Sequence, residues 1–524
     1  MAKKYDVVIA GAGHNGLTVG CYLAKAGLNV CLVERNPKVG GGVLSTEYAA
    51  PGFITDVCSV IHVLIQGNPI IRNDELGLMS KYGFKYVYPN VQMCIHFWDN
   101  EYLSICSSLE DTCKSIARFS EEDAESYRRF NKWASVAMQM ILQGFFAPPP
   151  TFGMFTSMLD QSEEGRELLR TTLMSPLDVI NEWFKHERTR IALTRWISEI
   201  MVSPSTKGLG IVVPMMLGMT HTFPSGLPIG GSGKLSEAME RLILDQGGTI
   251  MTNAPIKEFK IEGGTCTGVI LEDGEEILAS RAVISNLNIK LMFPGMTGKA
   301  KLPEHFADRV QRLRAAEFAC FQQGLALNEP PKYKMDVKDL REAFVVEFAP
   351  PTMEEYRRYF DNLLYGIPGH NPLIVCQTVH DPSRAPKGKH TLYFYEYAPY
   401  NLKEGGPEQW DAVRESYADS IMEFYRRYTT NMGPENIIGR WIESPVDLER
   451  HNPSFMEGDF AQLGCYLEQN MGNRPLPGYN YATPIDKLWM CGPGTHPGSG
   501  VTGGGRAAAQ AILEGLGIEI ESVI

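Results

Sequence analysis

Three glycines near the start of the chain are the first residues whose spacing suggests a chemistry. Gly11, Gly13 and Gly16 form a G-x-G-x-x-G pattern between an apolar run at 5–10 and a helical stretch that ends at Gly27. The first glycine permits a tight turn, the second lets the backbone approach a pyrophosphate, and the third lets helix and strand pack closely. The positive end of the helix dipole then faces the phosphates. The pattern predicts a dinucleotide site.

An acidic residue follows at the distance that such a site requires. A second strand, predicted over 29–33, ends in Glu34, which lies 23 residues after Gly11. A carboxylate at this position can accept hydrogen bonds from both hydroxyls of an adenosine ribose. The same carboxylate would repel a 2′-phosphate, so NADP is disfavoured.

Further glycine clusters favour FAD over a freely exchanging NAD. Gly40, Gly41 and Gly42 follow the acid directly, and another cluster over 492–504 leads into the last helix. A helix N-terminus near the flavin suits the negative charge that develops there on reduction. The sequence shows no second strand–glycine–helix unit for free NAD(P)H. We therefore predict one tightly held FAD.

A flavin without a nicotinamide site indicates oxidation by hydride transfer from carbon to flavin N5, with O₂ or a quinone-type carrier as acceptor. If a C=C bond forms, a histidine, tyrosine or carboxylate must also accept a proton. The candidates are His62, His221, His496 and Tyr466. Each is also open to a structural interpretation, and no single base is assigned.

Other polar residues are interpreted as structural. His96 alternates with apolar residues, as in a buried strand, and His14 belongs to the phosphate turn. Asp447, Glu449 and Arg450 are interpreted as an ion-paired brace. The cysteines, 11 in number, show no metal-like spacing, and their odd count favours reduced thiols. We predict no metal site.

Composition excludes several classes of protein. The chain has 524 residues, 44% of them hydrophobic, which predicts two or three lobes. Its net charge of −12 argues against non-specific binding to nucleic acid. We recognise no signal peptide and no transmembrane helix, and we expect a cytoplasmic protein. The Met-rich, proline-broken stretch 133–155 is interpreted as a buried helix and loop, with a membrane-touching or substrate-entry surface as the alternative.

The motifs together resemble the phytoene desaturase-like flavoproteins of the FAD-dependent amine oxidase superfamily. The resemblance is strongest to the branch of the β-carotene ketolases and pyridine nucleotide-disulfide oxidoreductase domain-containing protein 2. Desaturases and amine oxidases usually carry an arginine where this chain has Val43, which favours the ketolase-like branch. The matching segments are GAGHNGL (11–17), VERNPKVGGG (33–42), STE (45–47), SIARFSEEDAESYRRF (115–130), GSGKLSEAM (231–239), SPVDLERHNPSFMEGDF (444–460), RPLPGYNYATPIDKLWMCG (474–492) and THPGSGVTGGGRAAA (495–509).

The resemblance implies an α/β plus α+β fold, with a Rossmann-like FAD-binding domain and an inserted mixed-sheet and helical substrate domain. The implied FAD-binding domain covers 1–85, 225–295 and 480–524, and the substrate domain covers 86–224 and 296–479, with its helical part at about 105–220. The residues that would line FAD are Gly11, Gly13, Asn15, Gly16, Glu34, Arg35, Gly40, Gly41, Gly42, Ile256, Gly492, Gly500, Val501 and Thr502.

We predict an FAD-dependent oxidoreductase that dehydrogenates a hydrophobic, alicyclic or isoprenoid-like substrate. The Met- and Phe-rich segments 139–155 and 211–219 suit an apolar pocket, although they also suit an irregular core. Three alternatives stay open: a redox-neutral C=C isomerase, an amine oxidase, and a non-catalytic flavin-bound scaffold protein. A homo-oligomer and a peripheral membrane contact are also left open.

Overall fold

The computed structural model describes residues 3–298, 302–498 and 500–524. Its strands are β1 (Lys3–Ala10), β2 (Val30–Val33), β3 (Ser45–Thr46), β4 (Thr55–Asp56), β5 (Tyr86–Val87), β6 (Val91–Phe97), β7 (Tyr102–Cys106), β8 (Leu227–Pro228), β9 (Thr249–Met251), β10 (Ile256–Glu262), β11 (Thr265–Leu271), β12 (Glu276–Ser285), β13 (Ala319–Leu327), β14 (Val345–Ala349), β15 (Leu373–Val375), β16 (His390–Ala398), β17 (Ile437–Glu443) and β18 (Leu488–Met490). Its α-helices are α1 (His14–Lys25), α2 (Pro69–Arg72), α3 (Leu109–Ala117), α4 (Glu121–Phe145), α5 (Phe152–Leu159), α6 (Glu163–Leu173), α7 (Pro176–Trp183), α8 (Glu187–Ile197), α9 (Val212–Thr222), α10 (Gly233–Asp245), α11 (Glu304–Gln311), α12 (Lys338–Glu342), α13 (Met353–Leu364), α14 (Trp410–Arg426), α15 (Pro445–His451) and α16 (Gly505–Gly515).

The first sheet is built around β1, which pairs in parallel with β2 on one side and β12 on the other. β9 continues the parallel part beyond β2, β18 adds to the end of β12, and β11 and β10 extend the sheet in antiparallel fashion. Residues 7–10 of β1 are all buried, because its two faces pack into separate hydrophobic clusters. A continuous apolar run is what a parallel strand covered on both faces requires.

The second sheet has seven strands in the order β17-β13-β16-β15-β14-β6-β7. Only the pairing of β14 with β6 is parallel among these neighbours. Side chains from α4, α8 and α9 share a hydrophobic cluster with one face of the sheet, and side chains from α14 share another with the opposite face. The sheet is therefore buried between two helical layers.

The helical character predicted for 105–220 is confirmed by α3–α9. Local sequence explains where several of these helices begin: the side chains of Ser108, Ser120, Ser162 and Ser175 each accept a hydrogen bond from a backbone N–H in the first turn. Such caps satisfy donors that would otherwise lack partners. Among the helices in the described part of the chain, none is both long and apolar enough to cross a membrane.

One apolar, strand-like run of the sequence forms a strand over only part of its length. The apolar segment 373–380 forms β15 only as far as Val375, and a 3-10 turn follows at Gln377–Val379. The Thr378 hydroxyl accepts a hydrogen bond from the backbone N–H of Thr391 and contacts His390 Nδ1 at 2.9 Å. These side-chain contacts hold the turn and end the strand.

Candidate functional site

A cavity of about 680 Å³ extends from the first sheet to the second. Its glycine-loop end is lined by residues that follow β1, β2 and β12: Gly11, Gly13, His14, Asn15, Glu34, Arg35, Asn36 and Asn286, together with Gly41, Gly42, Ala254, Pro255, Ile256, Lys257, Gly500 and Val501. Its second-sheet end is lined by Val60, Ile61, Met93, Trp196, Ile197, Glu199, Ile200, Met216, Glu347, Leu373, Tyr393 and Tyr395. The carboxyl ends of parallel strands meet at one edge, where α/β sheets bind ligands.

The glycine turn after β1 leads into a helix whose first turn has no side-chain cap. Gly11 adopts φ +89°, and its N–H donates to Val33 O at 2.8 Å. A Cβ on Gly16 would lie 2.4 Å from Gly11 O, so only glycine lets α1 pack this close to the turn. α1 has no side-chain cap and no acidic residue in its first turn. Its first N–H groups are therefore suited to an anion.

Glu34 lies at the end of β2 and lines the same end of the cavity. Its two carboxylate oxygens accept hydrogen bonds from the backbone N–H groups of Ala12 and Asn36, each at 2.9 Å. Burial raises the carboxyl pKa, and the two backbone donors oppose that rise. The N–H groups of Ala12 and Asn36 hold the carboxylate in one orientation. The backbone O of Glu34 accepts a hydrogen bond from Ala254 N–H at 2.9 Å, which brings Ile256 to this end.

The predicted cofactor residues divide into two groups by position. Ten of them reach the cavity wall: Gly11, Gly13, Asn15, Glu34, Arg35, Gly41, Gly42, Ile256, Gly500 and Val501. Gly16, Gly40, Gly492 and Thr502 lie behind that wall. A Cβ on Gly40 would meet Val43 O at 2.4 Å, and Thr502 O accepts a hydrogen bond from Asn68 Nδ2. These four residues shape the loops that the others present.

The four predicted catalytic residues lie outside the cavity lining that the described residues form. His62 Nδ1 lies 2.7 Å from the Tyr86 hydroxyl, and His221 Nε2 lies 2.9 Å from the Tyr127 hydroxyl. His496 Nε2 lies 2.9 Å from Gly144 O.

The Tyr466 hydroxyl donates to Ala315 O at 3.1 Å. Burial lowers the pKa of His62 to about 3 and that of His496 to about 4, so both are neutral at pH 7. Burial also lowers the pKa of His221 and raises that of Tyr466. The catalytic roles of these four residues stay predictions.

The sequence favours a structural role for His14, yet this residue lies in the cavity wall. Burial lowers its pKa to about 4, and its Nε2 has no hydrogen-bond partner among the described residues. Its position inside the phosphate turn was the signal that could have identified it. Asn286, which follows β12, lines the wall beside it and carried no such signal.

The second-sheet end is mainly apolar and comes from many elements. Tyr393 and Tyr395 lie two residues apart on β16, so their side chains share one face of the sheet. Tyr393 donates to Gln322 Oε1, and Tyr395 Oη lies 2.7 Å from Met201 Sδ. Trp196 donates from its indole N–H to Thr220 Oγ1. The hydrogen-bonding atoms of these rings are satisfied by the protein, which leaves apolar ring surface for a ligand.

A charged cluster interrupts this apolar wall. The buried Arg195 guanidinium contacts the carboxylate of Glu347 and lies 3.4 Å, from Nη1 to Oε1, from that of Glu199. Burial raises the pKa of both glutamates, against the attraction of Arg195. Behind them, burial raises the pKa of Glu396 to about 8, although Tyr359 and the Asn371 N–H donate to it. The Arg195 guanidinium thus lies close to the carboxylates of both Glu199 and Glu347.

The ion-paired brace predicted from Asp447, Glu449 and Arg450 is confirmed for Asp447 and Arg450, whereas Glu449 is hydrogen-bonded to a tyrosine. Arg414 Nη1 lies 3.1 Å from Asp447 Oδ1, and Arg450 Nη1 lies 2.6 Å from Asp411 Oδ1. Glu449 accepts a hydrogen bond from the Tyr400 hydroxyl. These contacts fasten α15 to α14.

Comparison with known families assigns the N-terminal glycine region. Residues 9–71 match the model of the NAD(P)-binding Rossmann-like domain. This segment contains β1, α1, β2 and Glu34, which form one wall of the cavity. The Rossmann-like fold predicted for this segment is therefore confirmed.

Relatives match the chain over nearly its whole length. A limonene dehydrogenase polypeptide of Castellaniella defragrans is 26% identical, over 99% of this chain and 96% of the relative. Pyridine nucleotide-disulfide oxidoreductase domain-containing protein 2 of Rattus norvegicus is 27% identical, over 98% and 94%. A lycopene-forming phytoene desaturase of Pseudescherichia vulneris is 24% identical, over 97% and 99%.

Solved structures confirm the fold class. A putrescine oxidase variant superposes with a TM-score of 0.62 at 14% identity, over 100% of this chain and 99% of that chain. At this identity the likeness concerns the fold alone. With the glycine loop, the cavity and the full-length relatives together, the chain is confirmed to resemble the phytoene desaturase-like oxidoreductases.

Proposed function

We propose that the protein is an FAD-dependent dehydrogenase that introduces a C=C bond into a hydrophobic, alicyclic or isoprenoid-like substrate. The observation that carries this proposal is that one cavity joins the glycine-loop end to the mainly apolar second-sheet end. Relatives named for limonene dehydrogenation and phytoene desaturation support the substrate class.

The residues at the glycine-loop end suit an extended dinucleotide. The uncapped first turn of α1 offers N–H groups to a pyrophosphate, and Glu34 offers acceptors to a ribose. Around Gly500, at φ +82°, a Cβ would find open space. We propose that the remaining length of FAD lies in this space, beside Val501. Bound FAD would supply the hydride acceptor.

The second-sheet end would orient the substrate and exclude water from it. Met93, Trp196 and Met216 offer adaptable apolar surface, and such surface binds hydrocarbon without requiring polar partners. O₂ or a quinone-type carrier is the proposed electron acceptor, because the sequence shows no second dinucleotide unit.

The test is the visible spectrum of the purified protein, followed by anaerobic titration with limonene, a C40 isoprenoid and a cyclic amine. We expect a bound-FAD spectrum that the hydrocarbons bleach. A colourless protein that does not take up FAD would contradict the cofactor. Bleaching by the amine alone would identify an amine oxidase, turnover only after pre-reduction would identify an isomerase, and no bleaching by any ligand would favour the scaffold alternative.

A further inference from the structure

Glu199 combines a deep position with access from the cavity. It lies in the short 3-10 turn Ser198–Ile200 that directly follows α8. Its neighbours Arg195 and Glu347 are 1% and 0% exposed, whereas 32% of the Glu199 side chain is accessible. Because Glu199 lines the cavity, this accessible part faces the cavity rather than the outer surface.

One oxygen of Glu199 is occupied by the protein and the other is free to bind a ligand. The Tyr397 hydroxyl donates to Oε1 at 2.9 Å, and Arg195 Nη1 approaches the same atom at 3.4 Å. Among the described residues, no donor contacts Oε2. Because Glu199 is accessible from the cavity, a donor on a ligand can reach Oε2 without displacing a protein partner.

The charge around Glu199 selects the kind of donor. Arg195 is shared with Glu347, whose carboxylate has no other donor among the described residues, and Arg195 also donates to Asn371 O at 3.2 Å. Arg195 neutralises one of the two carboxylates and burial disfavours the charge on the other, so little net negative charge is left to attract a ligand cation. Most other residues at this end are apolar.

Burial and the neighbouring carboxylate both favour the protonated form of one glutamate, so the ligand group must suit either state of Glu199. An ammonium group only donates and a carbonyl only accepts hydrogen bonds, whereas a hydroxyl does both.

We propose that Glu199 is a specificity-determining residue that exchanges a hydrogen bond with a hydroxyl group of the substrate. The preferred substrate is then an alicyclic or isoprenoid alcohol rather than the bare hydrocarbon. This inference rests on the proposed function, since it takes the second-sheet end of the cavity as the substrate site.

The test is calorimetric binding of limonene, of carveol as the alcohol of the same skeleton, and of the corresponding amine to the holoprotein. We expect carveol to bind about tenfold more tightly than limonene, as one charge-assisted hydrogen bond predicts. Glu199→Leu removes this advantage. Glu199→Gln, which still accepts and donates, reduces it by about threefold to fivefold. Glu317→Gln is the matched control, because Glu317 is partly buried and binds Ser203 N–H away from the cavity.

The inference is overturned if wild-type protein binds limonene as tightly as carveol, or if folded Glu199→Leu keeps the preference. Tightest binding of the amine would also overturn it. If Glu199→Leu does not fold, Glu199→Gln carries the test, and an unchanged preference contradicts the proposal. Flavin bleaching separates the two proposals: a Glu199-dependent preference without bleaching by any ligand leaves the binding site but removes the dehydrogenase. Bleaching without the preference leaves the dehydrogenase but removes the role of Glu199.

Discussion

The two ends of the cavity are built from different chemical groups of the chain. The glycine-loop end presents glycine backbone from the turn after β1 and from the loops at 41–43 and 500–501, with polar side chains beside it. The second-sheet end presents side chains, from Met93 on β6 to Tyr395 on β16. Backbone N–H groups can bind a phosphate in any sequence that makes the turn, whereas side chains set shape and polarity one residue at a time. Under the proposed function, the first end would hold a common cofactor and the second would select the substrate.

This contrast predicts that substitutions at the glycine-loop end act by displacing the backbone of the turn. Gly16→Val places a side chain against Gly11 O, which cannot retreat without displacing α1 from β1. We expect loss of bound FAD and a fall of about 3 kcal/mol or more in the free energy of unfolding. Visible absorbance and urea unfolding measure the two effects. Gly153→Ala, in open space on α5, is the control and should retain full colour; a yellow, stable Gly16→Val protein would refute the assignment.

The acidic residue at the same end should have a smaller effect, because it affects one hydrogen-bonding group. Glu34→Ala removes the proposed ribose acceptor and leaves the N–H groups of Ala12 and Asn36 without their acceptor. We expect the dissociation constant of FAD to rise by about 10- to 100-fold. Fluorescence titration of apoprotein measures it, with Glu258→Ala, on an exposed position of β10, as control. Unchanged affinity would remove Glu34 from the cofactor site.

The carboxylates behind the second-sheet end predict a pH dependence of stability. The Glu396 pKa is raised from its usual 4.5 to about 8, so the folded protein holds a proton that the unfolded chain releases. Its contribution to stability is full below pH 4.5 and is lost as the pH rises towards 8.

Glu396→Gln removes this titration. We expect the slope of unfolding free energy against pH to become less negative by on the order of 1 kcal/mol per pH unit between pH 5 and 8. Urea unfolding of wild type, Glu396→Gln and the exposed-site control Glu258→Gln at four pH values measures it. Parallel curves for wild type and Glu396→Gln would show that Glu396 titrates normally.

The histidines that lie outside the cavity lining should matter least to turnover. His221→Gln and His496→Gln each lose contacts to protein groups, to Tyr127 and Gly144 O respectively. We expect about 1–2 kcal/mol less unfolding free energy and a change below about threefold in the rate of flavin reduction. Stopped-flow reduction measures the rate. A loss of about 100-fold or more in a folded variant would instead identify a catalytic acid or base.

The sequence predicted the glycine-loop end because its contacts are local. The turn at Gly11 and the carboxylate of Glu34 lie within one strand–helix–strand unit, and glycine at these positions has few conformational substitutes. The turn at Asp273-Gly274 also depends on local residues, since Gly274 adopts φ +89° between β11 and β12.

The sequence suggested an apolar pocket from the Met-rich segment 211–219, which includes Met216 of the cavity wall, but it did not predict the charged residues at the second-sheet end. Glu347 reaches the cavity because β14 pairs in parallel with β6, about 250 residues earlier in the chain, where Met93 lies opposite Val345. Glu199 lies beside Arg195, but nothing in that spacing shows which oxygen faces a cavity. His62, His221 and His496 were selected for their residue type, and packing turned each towards a protein partner.

Sequence alone thus determined that a strand, a glycine turn and an acid form a Rossmann-like unit, because backbone geometry depends on neighbouring residues. Only the tertiary structure decided which side chains line the second-sheet end of the cavity and which carboxylates share Arg195. Those positions depend on strand pairing and helix packing between segments that are far apart in the chain, and their pKa values depend on the burial that this packing creates.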